Sequence, residues 1–167
     1  LYEISAAGLI GLHALIMTLT KGYGLMNHTY KRHLPARNLQ MKGRSFGVLI
    51  ASETGQSTTY ALEGLEARGT MFIEPQTPVY AGMIVGENRY PRDLVVNVTK
   101  AKALTNMRMS TKEAKVVLKA ARLMSMEACL AYINDDELLE ITPTAFRMRK
   151  VYLDPIERKR NRPDRED

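Results

Sequence analysis

The chain has 167 residues, of which 45% are hydrophobic and 25% are charged, and its formal net charge at pH 7 is +6. This composition excludes a mainly disordered chain and supplies enough apolar material for the core of one or two small domains. The longest apolar stretch, within residues 9–19, is interrupted by polar residues and is shorter than the roughly 20 residues that cross a bilayer, so we expect no membrane span. The single cysteine, Cys129, excludes an intramolecular disulfide and a cysteine-based zinc site, and it favours a reducing compartment. The chain begins at Leu1 without a signal-peptide pattern, and we expect it to be a piece of a longer protein.

Positive charge is concentrated in three segments. Residues 21–44 contain six basic and no acidic residues, residues 88–122 contain nine basic and two acidic residues, and residues 147–167 contain eight basic and five acidic residues. Concentrated charge favours a polyanionic partner such as RNA, DNA or an anionic membrane, because each neutralised phosphate releases condensed counterions. The alternative is that these side chains only keep surface loops solvated.

The first elements follow from apolar periodicity and glycine positions. Leucine and isoleucine recur at three- and four-residue spacings in residues 9–19, which predicts one amphipathic helix. Gly22 and Gly24 end this helix, and residues 25–34 are predicted as a strand. The basic stretch 36–44 is the predicted domain linker.

The rest of the chain is predicted to be rich in short strands. Residues 45–51 and 57–61 are expected to form a hairpin, followed by a helical turn over residues 62–68. Further strands are predicted at residues 71–74, 79–85, 94–98, 115–119, 138–142 and 145–149. Many short strands with frequent turns predict a small barrel or sandwich.

Two helices interrupt this β-rich region. Ser125 is the predicted N-cap of a helix that ends at Ile133, and residues 154–157 form a capping box that begins a basic tail. The apolar phases of the strands and helices predict one common core, in which Leu130→Ala should cost roughly 2–5 kcal/mol. The predicted core residues are Val48, Ile50, Leu62, Leu65, Ile84, Val96, Leu130 and Ile141.

Catalytic motifs are missing from the sequence. No GxxxxGK[ST] phosphate loop occurs, so we expect these residues neither to bind nor to hydrolyse GTP. His13, His28 and His33 fall in no metal-binding pattern and are predicted to be surface or core-edge residues. Residues 135–137 are interpreted as a charged turn rather than a Mg²⁺ site, and Cys129 as a buried, inert thiol. We therefore predict no catalytic residue, no metal site and no cofactor within this chain.

Several sequence blocks occur together in one order. They are Gly8-Leu9-Ile10-Gly11, Lys21-Gly22-Tyr23-Gly24, Gly47-Val48-Leu49-Ile50, residues 61–69 (ALEGLEARG), residues 79–86 (VYAGMIVG), Asp93-Leu94-Val95-Val96-Asn97, Leu104-Thr105-Asn106-Met107-Arg108 and residues 135–143 (DDELLEITP). This order resembles the C-terminal third of BipA/TypA, a family of ribosome-associated translational GTPases. The resemblance covers essentially the whole chain, and the blocks at residues 104–108 and 135–138 are specific to that family.

The resemblance implies an α+β fold with two parts. Residues 1–38 would be the end of a ferredoxin-like domain of the elongation factor G domain V type. Residues 39–167 would be the β-rich, barrel-like C-terminal domain specific to the family, with one or two short helices and a basic tail. The GTPase domain, with its GTP and Mg²⁺, would lie upstream, so the resemblance implies that this fragment is not itself an enzyme.

The resemblance also implies a function in RNA binding. Family members bind the intersubunit side of the ribosome in the cytoplasm, and they are linked to assembly of the large subunit and to growth under stress or cold. The resemblance is equally compatible with an organellar form. The implied partners are large-subunit ribosomal RNA and the acceptor end of A-site tRNA, the latter contacted by the loop at residues 95–114, with no membrane partner. The predicted RNA contacts are Arg89, Arg92, Lys100, Lys102, Asn106, Arg108 and Lys112, with secondary basic contacts at Lys31, Arg32, Arg158, Lys159 and Arg160.

Two alternatives stay open. Asn106 can equally hold the backbone of its own loop through a side-chain hydrogen bond. The whole region can also be a structural or self-association domain of the parent GTPase that does not touch RNA directly.

Overall fold

The computed structural model describes residues 1–35, 44–101 and 118–161, and in these ranges the chain is mixed α and β. After a 3-10 turn at Ala7–Leu9, the helices are α1 (Leu12–Leu19), α2 (Thr59–Leu65), α3 (Met126–Tyr132) and α4 (Pro155–Arg160). The strands are β1 (Val48–Ala51), β2 (Gly55–Gln56), β3 (Gly69–Met71), β4 (Pro78–Val79), β5 (Ile84–Asn88), β6 (Leu94–Val96), β7 (Glu137–Ile141) and β8 (Phe146–Lys150). Among the described helices, none has the length and apolarity needed to cross a membrane.

Side-chain caps set the starts of three helices. The hydroxyl of Ser125 accepts a hydrogen bond from the Ala128 N–H at 3.3 Å, and the carboxylate of Asp154 accepts one from the Ile156 N–H at 3.0 Å. Both predicted helix starts are thus confirmed. Thr58 caps α2 in the same way, which is why residues 59–61 are helical and the predicted strand at residues 57–61 is wrong.

The central sheet has four strands in the order β3-β5-β1-β6. Strand β1 runs antiparallel to β5 and parallel to β6, and β5 runs antiparallel to β3. The predicted hairpin after β1 is therefore wrong, since β1 pairs with strands more than 30 residues away along the chain. Strands β2 and β4 form one separate pair, and β7 and β8 form another. The described strands do not close into the predicted barrel, whereas the mixed α+β class is confirmed.

Strand β1 is buried on both faces, as expected of a continuous apolar run. Alternate side chains of β1 enter different clusters, so the predicted single core is wrong and two cores lie on opposite faces of the sheet. The core on the α2 side comprises Leu49, Ala51, Leu62, Met71, Ile73, Val79, Met83, Val85, Val96 and Val98. The core on the α3 side comprises Val48, Ile50, Phe72, Ile84, Cys129, Tyr132 and Met148.

Two predicted core residues are exposed and one lies at the core edge. Helix α3 turns Cys129 and Tyr132 towards the sheet, which leaves Leu130 on the outer side with 43% exposure. Ile141 ends β7 just before a tight turn and is 64% exposed. Leu65 is only partly buried, while Cys129 is buried as predicted.

Three further strand predictions meet different outcomes. Residues 25–34 form no strand, because a strand needs a hydrogen-bonded neighbour and none of the described segments pairs with this one. Residues 79–85 are divided between β4 and β5, since Gly82 has a φ of 89° and turns the chain. Residues 115–117 of the predicted strand at 115–119 lie outside the described residues, and residues 118 and 119 form no strand. Of the predicted linker at residues 36–44, only Arg44 is described.

Candidate nucleic-acid interface

Arg89 and Arg92 lie on the turn that joins β5 to β6, and both are exposed. We call residues 89–93 the arginine turn. Its backbone is held at three points: the Arg89 N–H donates to the Arg68 carbonyl at 2.8 Å, the Tyr90 carbonyl accepts from the Gly47 N–H at 2.8 Å, and the Arg92 carbonyl accepts from the Asn88 side chain at 2.5 Å. The two arginine side chains therefore extend from an anchored backbone.

Gly47 allows the turn to approach β1 closely. A Cβ atom at position 47 would lie 2.1 Å from the Arg92 carbonyl oxygen, which is a backbone atom and has little freedom to move. The block at residues 47–50 thus has a local structural reason for its glycine, because any side chain there would displace the arginine turn.

Arg68 joins Arg89 and Arg92 at the same end of the sheet. It precedes β3, whose Gly69 is opposite Asn88 of β5, and its side chain is exposed. We call Arg68, Arg89 and Arg92 the arginine cluster. Arg68 is not among the contacts predicted from the sequence, because it is the single basic residue in the acidic stretch 53–87 and only strand pairing brings it to the other two.

Lys100 lies at the opposite end of the sheet. Strand β6 runs parallel to β1 and antiparallel to β5, so the chain has crossed the sheet before it reaches Lys100. The Lys100 carbonyl accepts a hydrogen bond from the Thr58 hydroxyl at 2.6 Å. The structure therefore separates Lys100 from Arg89 and Arg92. The other predicted RNA contacts, Lys102, Asn106, Arg108 and Lys112, lie outside the described residues.

The secondary basic residues have different surroundings. Lys31 and Arg32 both form ion pairs with the exposed Glu3. The Arg158 guanidinium donates to the carbonyls of Tyr152 at 3.1 Å and Leu153 at 2.6 Å, so it stabilises the start of α4. Lys159 and Arg160 are both exposed in the last turn of α4.

A group of charged side chains connects the arginine turn to β7 and β8: Glu137 and Lys150 are buried and Arg44 is nearly so, whereas Asp93 and Asp136 are exposed. We call these five residues the ion cluster. Arg44 contacts both carboxylate oxygens of Glu137 at 2.5 Å, and the Glu137 side chain is completely buried. The Lys150 ammonium lies 2.7 Å from Asp93, 2.7 Å from Asp136 and 2.8 Å from Glu137. These contacts join the arginine turn to β7 and β8, because Asp93 belongs to the turn.

The carboxylates of the ion cluster surround an ammonium group rather than a free space. Oxygens of Asp93, Asp136 and Glu137 lie within 4.8 Å of one another, which is a spacing that a cation can use. Lys150 already bonds to all three of them. The interpretation of residues 135–137 as a charged turn therefore holds for Asp135 and Asp136. It is wrong for Glu137, which begins β7 and is buried against two cations.

Burial and pairing act in opposite directions on the pKa values in this cluster. Burial alone lowers the pKa of Lys150, but its hydrogen bonds to Asp136, Asp93 and Glu137 outweigh burial and raise it above its ordinary value. Burial alone raises the pKa of Asp93, but the hydrogen bonds from Lys150 and from the Val48 N–H outweigh burial and lower it below 3.8. Lys150 and Asp93 are therefore both held in their charged forms at neutral pH.

The sequence of this chain matches one known family. A family model described as the TypA/BipA C-terminal domain matches residues 46–155. The chain belongs to the TypA/BipA C-terminal domain family. This match contains the whole central sheet, both cores and the arginine turn, and it confirms the resemblance found in the sequence blocks.

Relatives of this TypA/BipA domain carry a common name. The large ribosomal subunit assembly factor BipA of Bacillus subtilis is 44% identical over 160 residues, which cover 96% of this chain and 26% of that protein. The proteins of the same name from Synechocystis and Salmonella typhimurium are 43% and 40% identical and cover 90% and 99% of this chain, or 25% and 28% of their own lengths. The chain thus spans about a quarter of the length of these curated relatives.

The acid stability of this TypA/BipA domain should depend on Asp93. Because the folded pKa of Asp93 lies below 3.8, its stabilising contribution is present above that pH and is lost as the pH falls below it. We expect Asp93→Asn to lower stability at pH 7 and to make the free energy of unfolding fall less steeply between pH 5 and pH 2, as measured by urea denaturation. Asp135→Asn, in the exposed turn, is the control. Equal acid slopes for Asp93→Asn and the unchanged chain would contradict this assignment.

Proposed function

We propose that this chain is the RNA-binding C-terminal region of a large ribosomal subunit assembly factor, and that the arginine cluster contacts ribosomal RNA. The observation that carries the proposal is the exposure of Arg68, Arg89 and Arg92 on anchored backbone at one end of the sheet. Arginine binds phosphate oxygens through a planar, always charged fork, and an anchored backbone loses little entropy on binding. The names of the relatives supply the class of partner.

The longer protein is proposed to be a ribosome-associated GTPase. In this proposal GTP and Mg²⁺ bind a domain outside this chain, and the protein acts in the cytoplasm in large-subunit assembly and in adaptation to stress or cold. Residues 1–38 complete a ferredoxin-like domain of the elongation factor G domain V type, and residues 39–167 are the family-specific domain. The order of the sequence blocks and the identity to the BipA proteins support this assignment.

The loop at residues 95–114 is proposed as a second RNA contact, directed to the acceptor end of A-site tRNA. Its first basic residue, Lys100, is exposed at the end of the sheet opposite the arginine cluster. Two contacts at opposite ends of one rigid sheet would let the domain bind two RNA elements at once, which raises the effective concentration of the second.

Association with isolated large ribosomal subunits tests the main proposal. The unchanged chain should pellet with the subunits, and its affinity should fall steeply as the salt concentration rises. The triple variant Arg68→Ala, Arg89→Ala, Arg92→Ala should bind more weakly, with a log–log salt slope flatter by about one unit for each phosphate that it no longer neutralises. Its thermal stability should stay nearly unchanged, because the contacts that anchor the turn are made by backbone atoms of these residues.

A matched variant controls for the removal of three charges. Lys21→Ala, Lys31→Ala, Arg32→Ala removes the same formal charge from residues 1–35, where Glu3 already pairs with two of the three side chains. We expect a smaller change of slope for this control. A triple arginine variant with the slope of the unchanged chain would show that RNA is contacted elsewhere, and absence of any salt-dependent association would refute the proposal.

Self-association is the second candidate function. It is favoured by three exposed apolar side chains on the β7–β8 hairpin, Leu138, Ile141 and Phe146. In the same series of measurements, a chain that sediments as a dimer and does not associate with ribosomal subunits would support this candidate.

A further inference from the structure

Tyr90 is a large aromatic side chain that stays 66% exposed in the arginine turn. Arg89 precedes it directly, and Arg92 follows after one proline. The contacts that anchor the turn use the Tyr90 carbonyl oxygen and neither the ring nor the hydroxyl of its side chain. The ring is therefore exposed, and it has no role in the part of the fold that the structure describes.

The surroundings of Tyr90 are positive. The two nearest acidic residues along the chain are Glu87 and Asp93, and Asp93 is paired with Lys150 at 2.7 Å. Glu87, at the end of β5, lies 3.8 Å from Arg122. The charges of Arg89 and Arg92 thus stay available to an anion that approaches the tyrosine ring.

A second exposed aromatic ring borders the same region. Phe46 is 50% exposed and lines a cleft of about 440 Å³, together with the cations Arg89 and Lys119 and the carboxylates Glu66 and Glu87. Gly47, the next residue, is hydrogen-bonded to the carbonyl of Tyr90. The exposed ring of Tyr90 therefore lies in the arginine turn, and the ring of Phe46 lines the neighbouring cleft. Each ring has an arginine or a lysine beside it.

We propose that the arginine turn is a site for unpaired RNA nucleotides, in which a base stacks on Tyr90 and Arg89 and Arg92 contact the flanking phosphates. Alternating aromatic and cationic side chains are how proteins hold single strands, since every base has a face for stacking and every step has a phosphate. In a double helix the faces of the bases are already stacked on one another and cannot stack on Tyr90. A duplex could therefore contact the arginine side chains through its phosphates but would make no use of the ring. The inference rests on the proposed RNA-binding function and specifies which form of RNA the site takes.

The absence of tryptophan from the chain makes a direct test possible. Tyr90→Trp introduces a single indole at the site, and stacking on a base should quench its fluorescence. We expect quenching by a six-nucleotide adenosine oligoribonucleotide and none by a blunt RNA duplex of 20 base pairs. Tyr23→Trp, at a position that is 92% exposed within residues 1–35, is the control and should not respond to the oligonucleotide.

Affinity measurements separate stacking from charge. Tyr90→Leu should weaken binding of the oligonucleotide about tenfold and leave binding of the duplex unchanged, because leucine keeps an apolar side chain but removes the ring. Tyr90→Phe should bind like the unchanged chain, since phenylalanine retains the stacking face. Equal affinities of Tyr90→Leu and the unchanged chain, or equal quenching at positions 90 and 23, would overturn the inference.

The two proposals fail in different ways. If Tyr90→Leu has no effect but the arginine variant still shows a flatter salt dependence of its association with ribosomal subunits, the nucleotide site is wrong and the proposed function stands. If the oligonucleotide quenches the indole of Tyr90→Trp but the unchanged chain does not associate with ribosomal subunits, the nucleotide site stands and the proposed ribosomal function is wrong.

Discussion

Replacing Glu137 with leucine is expected to lower the free energy of unfolding by about 3–5 kcal/mol. The substitution removes the carboxylate that pairs with Arg44 and Lys150, whose side chains are only 9% and 3% exposed. Two cations would then remain buried, with Asp93 and Asp136 as the remaining partners of Lys150. The effect is large because Arg44 loses the carboxylate with which it pairs. A buried charge without a partner destabilises the folded state by more than the intact ion pair stabilises it.

Urea denaturation at pH 7 measures this effect, with Asp135→Asn as the matched control. Asp135 lies in the same acidic run but is exposed in the turn before β7, so its replacement should change the free energy of unfolding by less than about 0.5 kcal/mol. Similar decreases for the two variants would contradict the structural role assigned to Glu137. A Glu137→Leu chain that stays as stable as the unchanged chain would show that the ion cluster contributes nothing to the fold.

Replacing Leu49 with alanine should cost roughly 2–5 kcal/mol. Leu49 is completely buried in the central strand β1, and its side chain belongs to the core on the α2 side of the sheet. Truncation there leaves a cavity between α2 and the sheet, which the surrounding side chains fill only in part.

Leu130→Ala is the matched control for this second prediction. It removes the same atoms from a leucine that is 43% exposed on α3, so we expect a decrease below about 1 kcal/mol. The cost of roughly 2–5 kcal/mol predicted from the periodicity of residues 126–133 is thus revised downwards. Equal melting temperatures of the two variants would contradict the assignment of Leu49 to the core and of Leu130 to the surface.

The ion cluster connects stability with the proposed RNA site. Asp93 accepts a hydrogen bond from the Val48 N–H at 3.0 Å and pairs with Lys150, so the end of the arginine turn is held by β1 and by β8. Substitutions at Glu137 or Lys150 should therefore reduce RNA affinity as well as stability, although neither side chain is part of the arginine cluster. Changes in Arg68, Arg89 and Arg92 should reduce affinity alone.

Local chemistry explains the parts of the fold that sequence analysis predicted correctly. The N-caps Ser125 and Asp154 each satisfy a backbone N–H within their own helix, so the signal and the structure lie within a few residues of each other. The strand β1 and the hairpin strands β7 and β8 were also predicted, since apolar and β-branched residues favour extended backbone over a few residues.

The sequence by itself determined the family, the mixed α+β class, the capped starts of α3 and α4 and the segments of concentrated positive charge, because each depends on residue types or on neighbours in the chain. Only the tertiary structure decided which strands pair, which face of α3 is buried, that Arg68 joins Arg89 and Arg92, and that Glu137 is buried between Arg44 and Lys150. Residues 44 and 137 are far apart in the chain, and no local pattern specifies which distant cation a carboxylate will meet. Strand pairing and burial depend on the free energy of the whole packed chain, and these terms override short-range preferences such as the strand predicted at residues 57–61.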